Sequence, residues 1–425
     1  LDGFGCVILA AGKGTRFFSD TPKVLHDLHG KPVLQHVLDT AKSAGFVRPV
    51  VVIGHKSGEV ERYLEGRAAV PVVQRTQLGT GDAVKAAKRQ LSKYRDIAVL
   101  YGDVPLVKNE TLRSLVGFHK ASGASCTVLT VDMEDPSGYG RIVRGPFGGD
   151  VEAIVEEKEA AAEEKKIREI NVGLYCFDSK DLFAAIKKIR RSKVKKEYYL
   201  TDAIAILISE GKRVRAFKTG DPDESIGMNS RSDLANAYSI ISGRKCAELN
   251  KGSVTVLDPS TTFISPDAKI GRDTVIYPFT VIEKDVTVGK RCSIGPFCRL
   301  RPGTVIGDGA EVGNFVEIVR TKVGKGAKAK HLTYLGDAVV GRGANIGCGT
   351  ITANYDGKKK SRTVIGDKAF IGSGTVLVAP VKVGGGAITG AGSVVLKNKN
   401  VPAHKVAVGV PARILGKSKN KKGIR

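Results

Sequence analysis

Residues 264–318 read ISPDAKIGRDTVIYPFTVIEKDVTVGKRCSIGPFCRLRPGTVIGDGAEVGNFVEI. An aliphatic residue falls at every sixth position of this stretch: Ile264, Ile270, Ile276, Ile282, Val288, Ile294, Leu300, Ile306, Val312 and Ile318. Four residues after them come mostly small residues: Ala268, Thr274, Thr280, Val286, Cys292, Cys298, Thr304, Ala310 and Val316. Helices repeat near 3.6 and ordinary strands near two, so a strict six is neither. It is the period of a parallel β-helix, in which each hexad supplies one short strand and a turn. The aliphatic points into a narrow prism, the small residue fits beside it, and Gly271, Gly289, Gly295, Gly307 and Gly313 are expected to serve the turns. After Ile318 the period breaks, resumes at Val340 and Ile346, breaks again, and returns at Ile365, Ile371, Leu377, Val383, Thr389, Val395 and Val401. Solenoids carry insertions as surface loops, so both interruptions are expected to be loops and candidate binding features. The first holds Lys330-His331-Leu332-Thr333-Tyr334-Leu335-Gly336-Asp337; the second holds Thr352-Ala353-Asn354-Tyr355-Asp356-Gly357.

Outward from that frame, 425 residues exceed what one core holds, which points to more than one domain. The seven Cys are scattered, with no CxxC and no His/Cys cluster at metal spacing. Cys292 and Cys298 fall on the inward small position and read as packed, reduced thiols, which suits a reducing compartment and a cytoplasmic protein. No apolar run has the length of a membrane span, so no membrane partner is expected. The net charge of +25 is uneven: residues 1–228 carry +6 and the remainder +19. A basic second half asks for an anionic partner. Without a stacking-aromatic pattern, zinc knuckle or helix-turn-helix to read bases, phosphate-bearing small molecules serve that role and nucleic acid is not expected. The tail Lys417–Arg425 reads as a solvated, disordered basic end.

The first half alternates strands and helices, with apolar runs at Cys6–Leu9, Val50–Ile53, Ile97–Leu100 and Cys126–Val131, implying a mostly parallel α/β sheet of Rossmann-like type. Cys6–Leu9 runs into Ala10-Ala11-Gly12-Lys13-Gly14-Thr15-Arg16, a strand followed by a Gly-rich loop that can bring phosphate onto backbone N–H groups. Arg16 stands where a dinucleotide fold has its third Gly, and the Walker A spacing is absent. Lys13, Arg16 and Lys23 around a Gly turn fit a triphosphate. Ligands of such sheets lie beyond the C-terminal strand ends. Two motifs fall there: Gln74–Gly81, a polar loop able to read a base edge, and Tyr101-Gly102-Asp103, whose carboxylate is either a Mg²⁺ ligand or a helix cap. Apolar residues at Leu234, Ala237, Tyr238 and Ile241 predict a helix over Arg231–Leu249.

The runs LAAGKGTR, TPKVLH, QLGTGDA, YGDVPL, GYGRI, INVGLY and EYYLTD, with HLTYLGD and GTITANYDG in the second half, resemble one family across nearly the whole chain. It is that of the bacterial bifunctional N-acetylglucosamine-1-phosphate uridyltransferase and glucosamine-1-phosphate acetyltransferase. The resemblance implies a nucleotidyltransferase domain (1–228), a linker helix (229–251), a left-handed β-helix acetyltransferase domain (252–416) and the tail (417–425). It implies the synthesis of UDP-N-acetylglucosamine from glucosamine-1-phosphate, acetyl-CoA and UTP through N-acetylglucosamine-1-phosphate, with Mg²⁺ as cofactor and a homotrimer as the assembly.

By motif, Leu9, Ala10, Ala11, Gly12, Gln74, Gln77, Gly79 and Thr80 would hold the nucleotide, with Tyr101 and Gly102 beside Asp103. Arg16 and Lys23 would stabilise phosphate charge, and Asp103 and Asn229 would hold the metal. Gly140, Glu156, Asn171 and Asn229 would line the sugar site of uridylyl transfer. In the second half His331 would be the general base, a role suited to its ordinary pKa. Arg301, Tyr334 and Asn345 would bind glucosamine-1-phosphate, and Cys348, Asn354, Tyr355, Ser373 and Ala391 would line the acetyl-CoA site.

The chain departs from the family in five places. Phe17 replaces the usual Met, and Cys348 replaces a frequent Ala. The sugar-phosphate Lys expected after Val-Glu-Ile is Val319; Arg320 stands beside it, though neighbouring strand residues face opposite sides. Gly409 lacks a family Arg for which Arg413 could serve, and the β-helix ahead of Arg301 is short by what looks like whole coils. The alternative reading is a single-activity uridylyltransferase on a structural, trimerising β-helix.

Overall fold

The computed structural model describes residues 3–145, 149–191 and 197–416; the basic tail Lys417–Arg425 lies outside them. The chain forms two compact units, with the boundary between Ala237 and Tyr238.

The first unit is built on one nine-stranded sheet: β1 (Phe4–Ala10), β2 (Val50–Ile53), β3 (Val70–Val73), β4 (Asp96–Tyr101), β5 (Cys126–Asp132), β6 (Arg141–Arg144), β7 (Val151–Val155), β8 (Glu169–Asp178) and β9 (Val214–Thr219). The order is β9-β5-β8-β4-β1-β2-β3, with the β6–β7 hairpin attached through β8. β1 pairs in parallel with β2 and β4, while β8 enters antiparallel between β4 and β5. All seven residues of β1 are buried, as its unbroken apolar run requires with helices on both faces. β1 and β4 lie side by side and end together, so the loops after Ala10 and Tyr101 open at one edge. β8 carries a register shift between Asn171 and Tyr175, with Gly173 at φ +88. A bulge of this kind re-aims side chains.

The second unit is the left-handed β-helix. Its strands stack into three sheets of ten, eight and seven strands, parallel but for the antiparallel hairpin that ends the first. In the first sheet, termed face one, Val275↔Ser293↔Glu311↔Lys328↔Asn345↔Phe370 are successive rungs. In the second, face two, they are Arg299↔Glu317↔Tyr334↔Ile351. Nearly all of the aliphatic column is buried, Ile270 being the partly covered exception. Cys292 and Cys298 are buried within it; burial raises both thiols, that of Cys298 to about 12.

Two expectations are corrected. The glycines of the hexads, Gly295 apart, do not make the corners. The left-handed residues fall two positions later, at Asp273, Phe279, Arg291, Phe297 and Phe315, among others. What the glycines permit is close stacking: a Cβ on Gly271 would lie 2.6 Å from the backbone of Gly289 on the next coil.

The first interruption is also no loop. The buried column continues as Val323, Ala329, Leu335, Val340 and Ile346, and Lys328–His331 and Tyr334–Gly336 are strands. Two sides of the prism are one residue short, which shifts the sequence period without leaving the coil. The second interruption is a true insertion, running from Asn354 until Thr363 rejoins the sheet.

The predicted helix runs Arg231–Lys251. Its second half caps the prism. Ser242 Oγ donates to Thr262 O at 3.1 Å and accepts from Ile264 N at 2.9 Å, and the Asn250 side chain brackets the backbone of Val256. A solenoid end closed in this way does not expose its apolar interior.

Candidate functional sites

In the first unit the Gly-rich loop, the Gln74–Thr80 loop and the end of β4 surround a cavity of about 500 Å³. Leu9, Ala10, Ala11, Gly12, Lys13, Arg16, Lys23, Gln74, Gln77, Gly79, Thr80, Tyr101, Asp103 and Asn229 line it together. Gly102 lies buried beneath, its N–H donating to Leu9 O at 2.8 Å. Gln74 is buried, and its Nε2 donates to Gly79 O (3.1 Å) and Asp82 Oδ2 (2.8 Å). Gly79 has φ +103, and a Cβ there would sit 2.5 Å from Tyr198 O, so only glycine fits.

Arg16 is exposed on the three-residue turn Thr15–Phe17 and has no ion pair among the described residues. That turn is anchored by Phe17, which is buried against the His26 ring at 4.6 Å, and by Arg231 Nε donating to Phe17 O at 3.2 Å. The Phe in place of Met thus fills a packed position.

Lys23 is bound to Asp103 and lies 3.5 Å from Asn229 Oδ1. A cation therefore already stands between the two residues expected to hold the metal. Their oxygens form a hard, partial donor set that fits a divalent ion completed by phosphate and water. Asn229 is held by its neighbours: Asp233 Oδ2 accepts from Asn229 N (2.9 Å) and Ser230 N (2.8 Å), while Asp233 N donates to Ser230 Oγ (3.2 Å). This reciprocal cap opens the helix at Arg231.

A second cavity of about 510 Å³ adjoins the first and shares Arg16, Thr80, Tyr101, Asp103 and Asn229 with it. Gly140, Glu156 and Asn171 line it, as do Tyr139, Tyr175, Tyr199 and Thr201, which sequence reasoning did not single out. Asn171 Nδ2 donates to Tyr175 Oη at 2.8 Å. A Cβ on Gly173 would strike the Tyr101 ring at 2.9 Å, so the bulge glycine makes room for that ring. Burial pushes the Tyr101 hydroxyl up to about 12, keeping it a neutral donor.

In the second unit His331 ends a strand rather than occupying a loop, and it is exposed beside Asn314. The corner residues that follow form a column, Phe315, Leu332, Gly349, Gly374 and Gly392, all with positive φ. Leu332 N donates to Asn314 O, Gly374 N to Cys348 O and Gly392 N to Ser373 O. The residues just before that corner are therefore His331, Cys348, Ser373 and Ala391, on successive coils. The repeat itself brings the predicted base into line with three of the predicted cofactor contacts.

Arg301 and Tyr334 belong to face two, and Asn345 to face one. Arg301 Nη1 donates to Glu317 Oε1 at 2.7 Å, while its Nε is buried without a partner. Val319 is 2% exposed. Arg320 sits at the corner with φ +46 and forks onto Asp337 at 2.6 and 2.8 Å, so it does not replace the missing Lys beside Arg301. Asp337 also accepts from Asn354 Nδ2. Its carboxyl is held below the usual range, chiefly by Arg320. Tyr355 is 60% exposed on the insertion. Gly409 turns into a hairpin that pairs Val408 with an exposed Arg413.

Residues 6–197 match the MobA-like NTP transferase domain, and residues 267–302, 285–320 and 362–397 match the bacterial transferase hexapeptide family of six repeats. The bifunctional protein GlmU of Syntrophomonas wolfei is 42% identical over 95% of this chain and 96% of its own length. The bifunctional protein GlmU of Geobacillus thermodenitrificans is 44% identical, covering 95% of this chain and 94% of its own. Among solved structures, a UDP-glucose pyrophosphorylase complexed with UDP-glucose is 19% identical, with a TM-score of 0.47 over 55% of this chain and 96% of that one.

Proposed function

Because the chain belongs to the GlmU family of bifunctional proteins, we propose that it makes UDP-N-acetylglucosamine in two steps, one in each unit. Acetyl transfer from acetyl-CoA to glucosamine-1-phosphate comes first, and uridylyl transfer from UTP to N-acetylglucosamine-1-phosphate follows. The observation that carries the reading is the pair of adjoining cavities. The nucleotide loops close one, Asn171 and Glu156 line the other, and Arg16, Asp103 and Asn229 stand at both.

In uridylyl transfer a phosphate oxygen of the sugar forms a bond to the α-phosphorus of UTP, the α–β bridge breaks, and pyrophosphate leaves. No protein nucleophile is needed; catalysis is positioning and charge stabilisation. Mg²⁺ on Asp103 and Asn229 would neutralise charge on the phosphates. Arg16 and Lys23 supply the protein's own positive charge, and the Gln74–Thr80 loop reads the base.

In acetyl transfer the amine nitrogen forms a bond to the thioester carbonyl carbon and the C–S bond breaks. The proton that the amine loses passes to the His331 imidazole and ends on the CoA sulfur. Cys348, Ser373 and Ala391 would seat the cofactor along the corner, with Asn354 and Tyr355 above it. Arg301 and Tyr334 would hold the sugar phosphate. Asn345 lies on the adjoining face of the prism, so a site using all three is most simply completed by another copy of the chain, in a homotrimer. The thiols are free among the described residues, in keeping with a cytoplasmic enzyme.

The test measures CoA thiol release with glucosamine-1-phosphate and acetyl-CoA. Release by wild type that falls at least a hundredfold in His331→Ala, with uridylyl transfer intact, is the expected outcome. No His331-dependent release would leave the β-helix a scaffold.

A further inference from the structure

We propose that Asp337 and Arg320 are positioning residues for acetyl transfer: they fix the Asn354 side-chain amide so that its carbonyl oxygen faces the substrate amine. This rests on the acetyl-transfer reading above. An Asn amide is symmetric in shape and can be turned either way, so its donor and acceptor ends are set by its partners. Here one partner is a carboxylate, which only accepts. Asn354 donates Nδ2 to Asp337, while Arg320 holds Asp337 with both arms of its fork at 2.6 and 2.8 Å. Asn354 Oδ1 makes no hydrogen bond among the described residues.

The amide is also clamped in place. Its main-chain oxygen accepts from Ser361 N at 2.7 Å, and its side chain lies over Gly336. A Cβ there would meet Asn354 Nδ2 at 2.7 Å and the Tyr334 hydroxyl at 2.5 Å. Gly336 therefore lets Asn354 and Tyr334, each expected at the acceptor or thioester, converge on one point. An amine about to attack a carbonyl carries N–H donors and must point its lone pair at the carbon. A fixed acceptor takes one N–H, and His331 takes the proton that leaves. The opposite amide orientation would present an NH₂ donor, which would engage the amine lone pair needed for attack.

The chain also explains why Arg320 cannot cover for Val319. Its guanidinium is consumed in holding Asp337, and the resulting charge-assisted contacts are the strong kind.

The test is a donor–acceptor swap. Asp337→Asn removes the charge and the obligate acceptor, and Asn354→Asp sets two carboxylates against each other. Each single variant is expected to lose about ten- to a hundredfold in CoA release. The KM for glucosamine-1-phosphate should rise in Asp337→Asn, with uridylyl transfer unchanged in both. In the double variant, Asp337→Asn with Asn354→Asp, the introduced amide donates to the introduced carboxylate. That again turns an acceptor oxygen to the amine, so activity should recover at least about tenfold over the worse single. Arg320→Ala, at the exposed corner, keeps the Asp337–Asn354 contact but removes the fork that holds Asp337, and should cost severalfold, with Arg320→Lys close to wild type. A double variant no better than its parents, or an Arg320→Ala enzyme with wild-type kinetics, overturns the orientation. Wild type that transfers uridylyl groups but releases no CoA overturns the acetyl-transfer reading itself, and the orientation with it.

Discussion

Arg16→Ala separates catalysis from stability more cleanly than any other change in the first unit. The guanidinium is exposed, has no ion pair among the described residues, and lies on a turn fixed by Phe17 rather than by Arg16 itself. Losing it should move unfolding free energy by less than about 0.5 kcal/mol, the usual range for an unpartnered surface side chain. Its position at both cavities gives the opposite expectation for turnover. Charge concentrates on the transferring phosphate, and deleting one positioned stabiliser from such a site costs about 3 kcal/mol, or roughly a hundredfold in rate. A group that acts on the transition state lowers kcat and kcat/KM together. Lys23→Ala differs, because Lys23 holds Asp103 and reaches Asn229, so its loss also frees the pair proposed to hold the metal. The assay is pyrophosphate release from UTP and N-acetylglucosamine-1-phosphate, run beside CoA release and a urea unfolding curve on the same preparation. Equal loss of both activities, or a rise in KM for UTP with kcat untouched, would refute the assignment.

Two further changes test the frame around that site. Gly79→Ala forces a side chain into a conformation that glycine alone populates readily and against Tyr198 O, so it should cost about 3 kcal/mol. The loop must move, and KM for UTP should rise at least tenfold in pyrophosphate-release assays while CoA release holds; an unchanged KM and unfolding curve would count against a tight fit. Glu169 is buried, which by itself raises its carboxyl, but Arg144, Thr130 and Lys218 outweigh this and leave the pKa lowered. A depressed carboxylate contributes fully above its unfolded value near about 4.3, and the contribution fades as pH falls through the folded value. Wild type should therefore exceed Glu169→Gln by about 2 kcal/mol at neutral pH and lose that margin below about pH 4, read from urea unfolding at stepped pH. A margin that grows toward acid pH would reverse the sign.

The prism was legible because its rule is one-dimensional: each coil repeats the same inward residue, so the column shows in the sequence before any contact is known. The same rule misread the first interruption. A side shortened by one residue and a loop both break a count of six, and only the continued burial of Val323, Ala329 and Leu335 tells them apart. The glycine assignment failed for a related reason. A turn and a close approach of neighbouring coils both demand Gly, and spacing along one chain cannot show what lies beneath it. In the first unit the nucleotide loops were readable as motifs at strand ends. The convergence of Tyr139, Tyr175 and Thr201 was not, because Tyr139 leads into the β6–β7 hairpin, Tyr175 closes the β8 bulge and Thr201 stands in the helix Leu200–Ser209, and sequence pattern does not place these together. The Ser230–Asp233 cap did have a signal, Ser followed three residues later by an acid at a helix start.

Face two of the prism carries the sharpest consequence of a departure from family pattern. With Val319 buried and Arg320 forked onto Asp337, Arg301 is the cation near Tyr334's rung that keeps an unmet donor. Its guanidinium is only half engaged: Nη1 meets Glu317, but Nε is buried with no acceptor. An unsatisfied buried donor costs about 1–3 kcal/mol, more where the group is charged. A side-chain shift that opened this N–H to a phosphate on the face would recover that cost, and bidentate capture suits the guanidinium fork. Glu317 works against it, since its carboxylate would face the incoming anion. Arg301 is therefore favoured by an unmet hydrogen bond and opposed by a neighbouring charge. On that balance, a sugar phosphate bound at this face, as proposed above, would be anchored through Arg301.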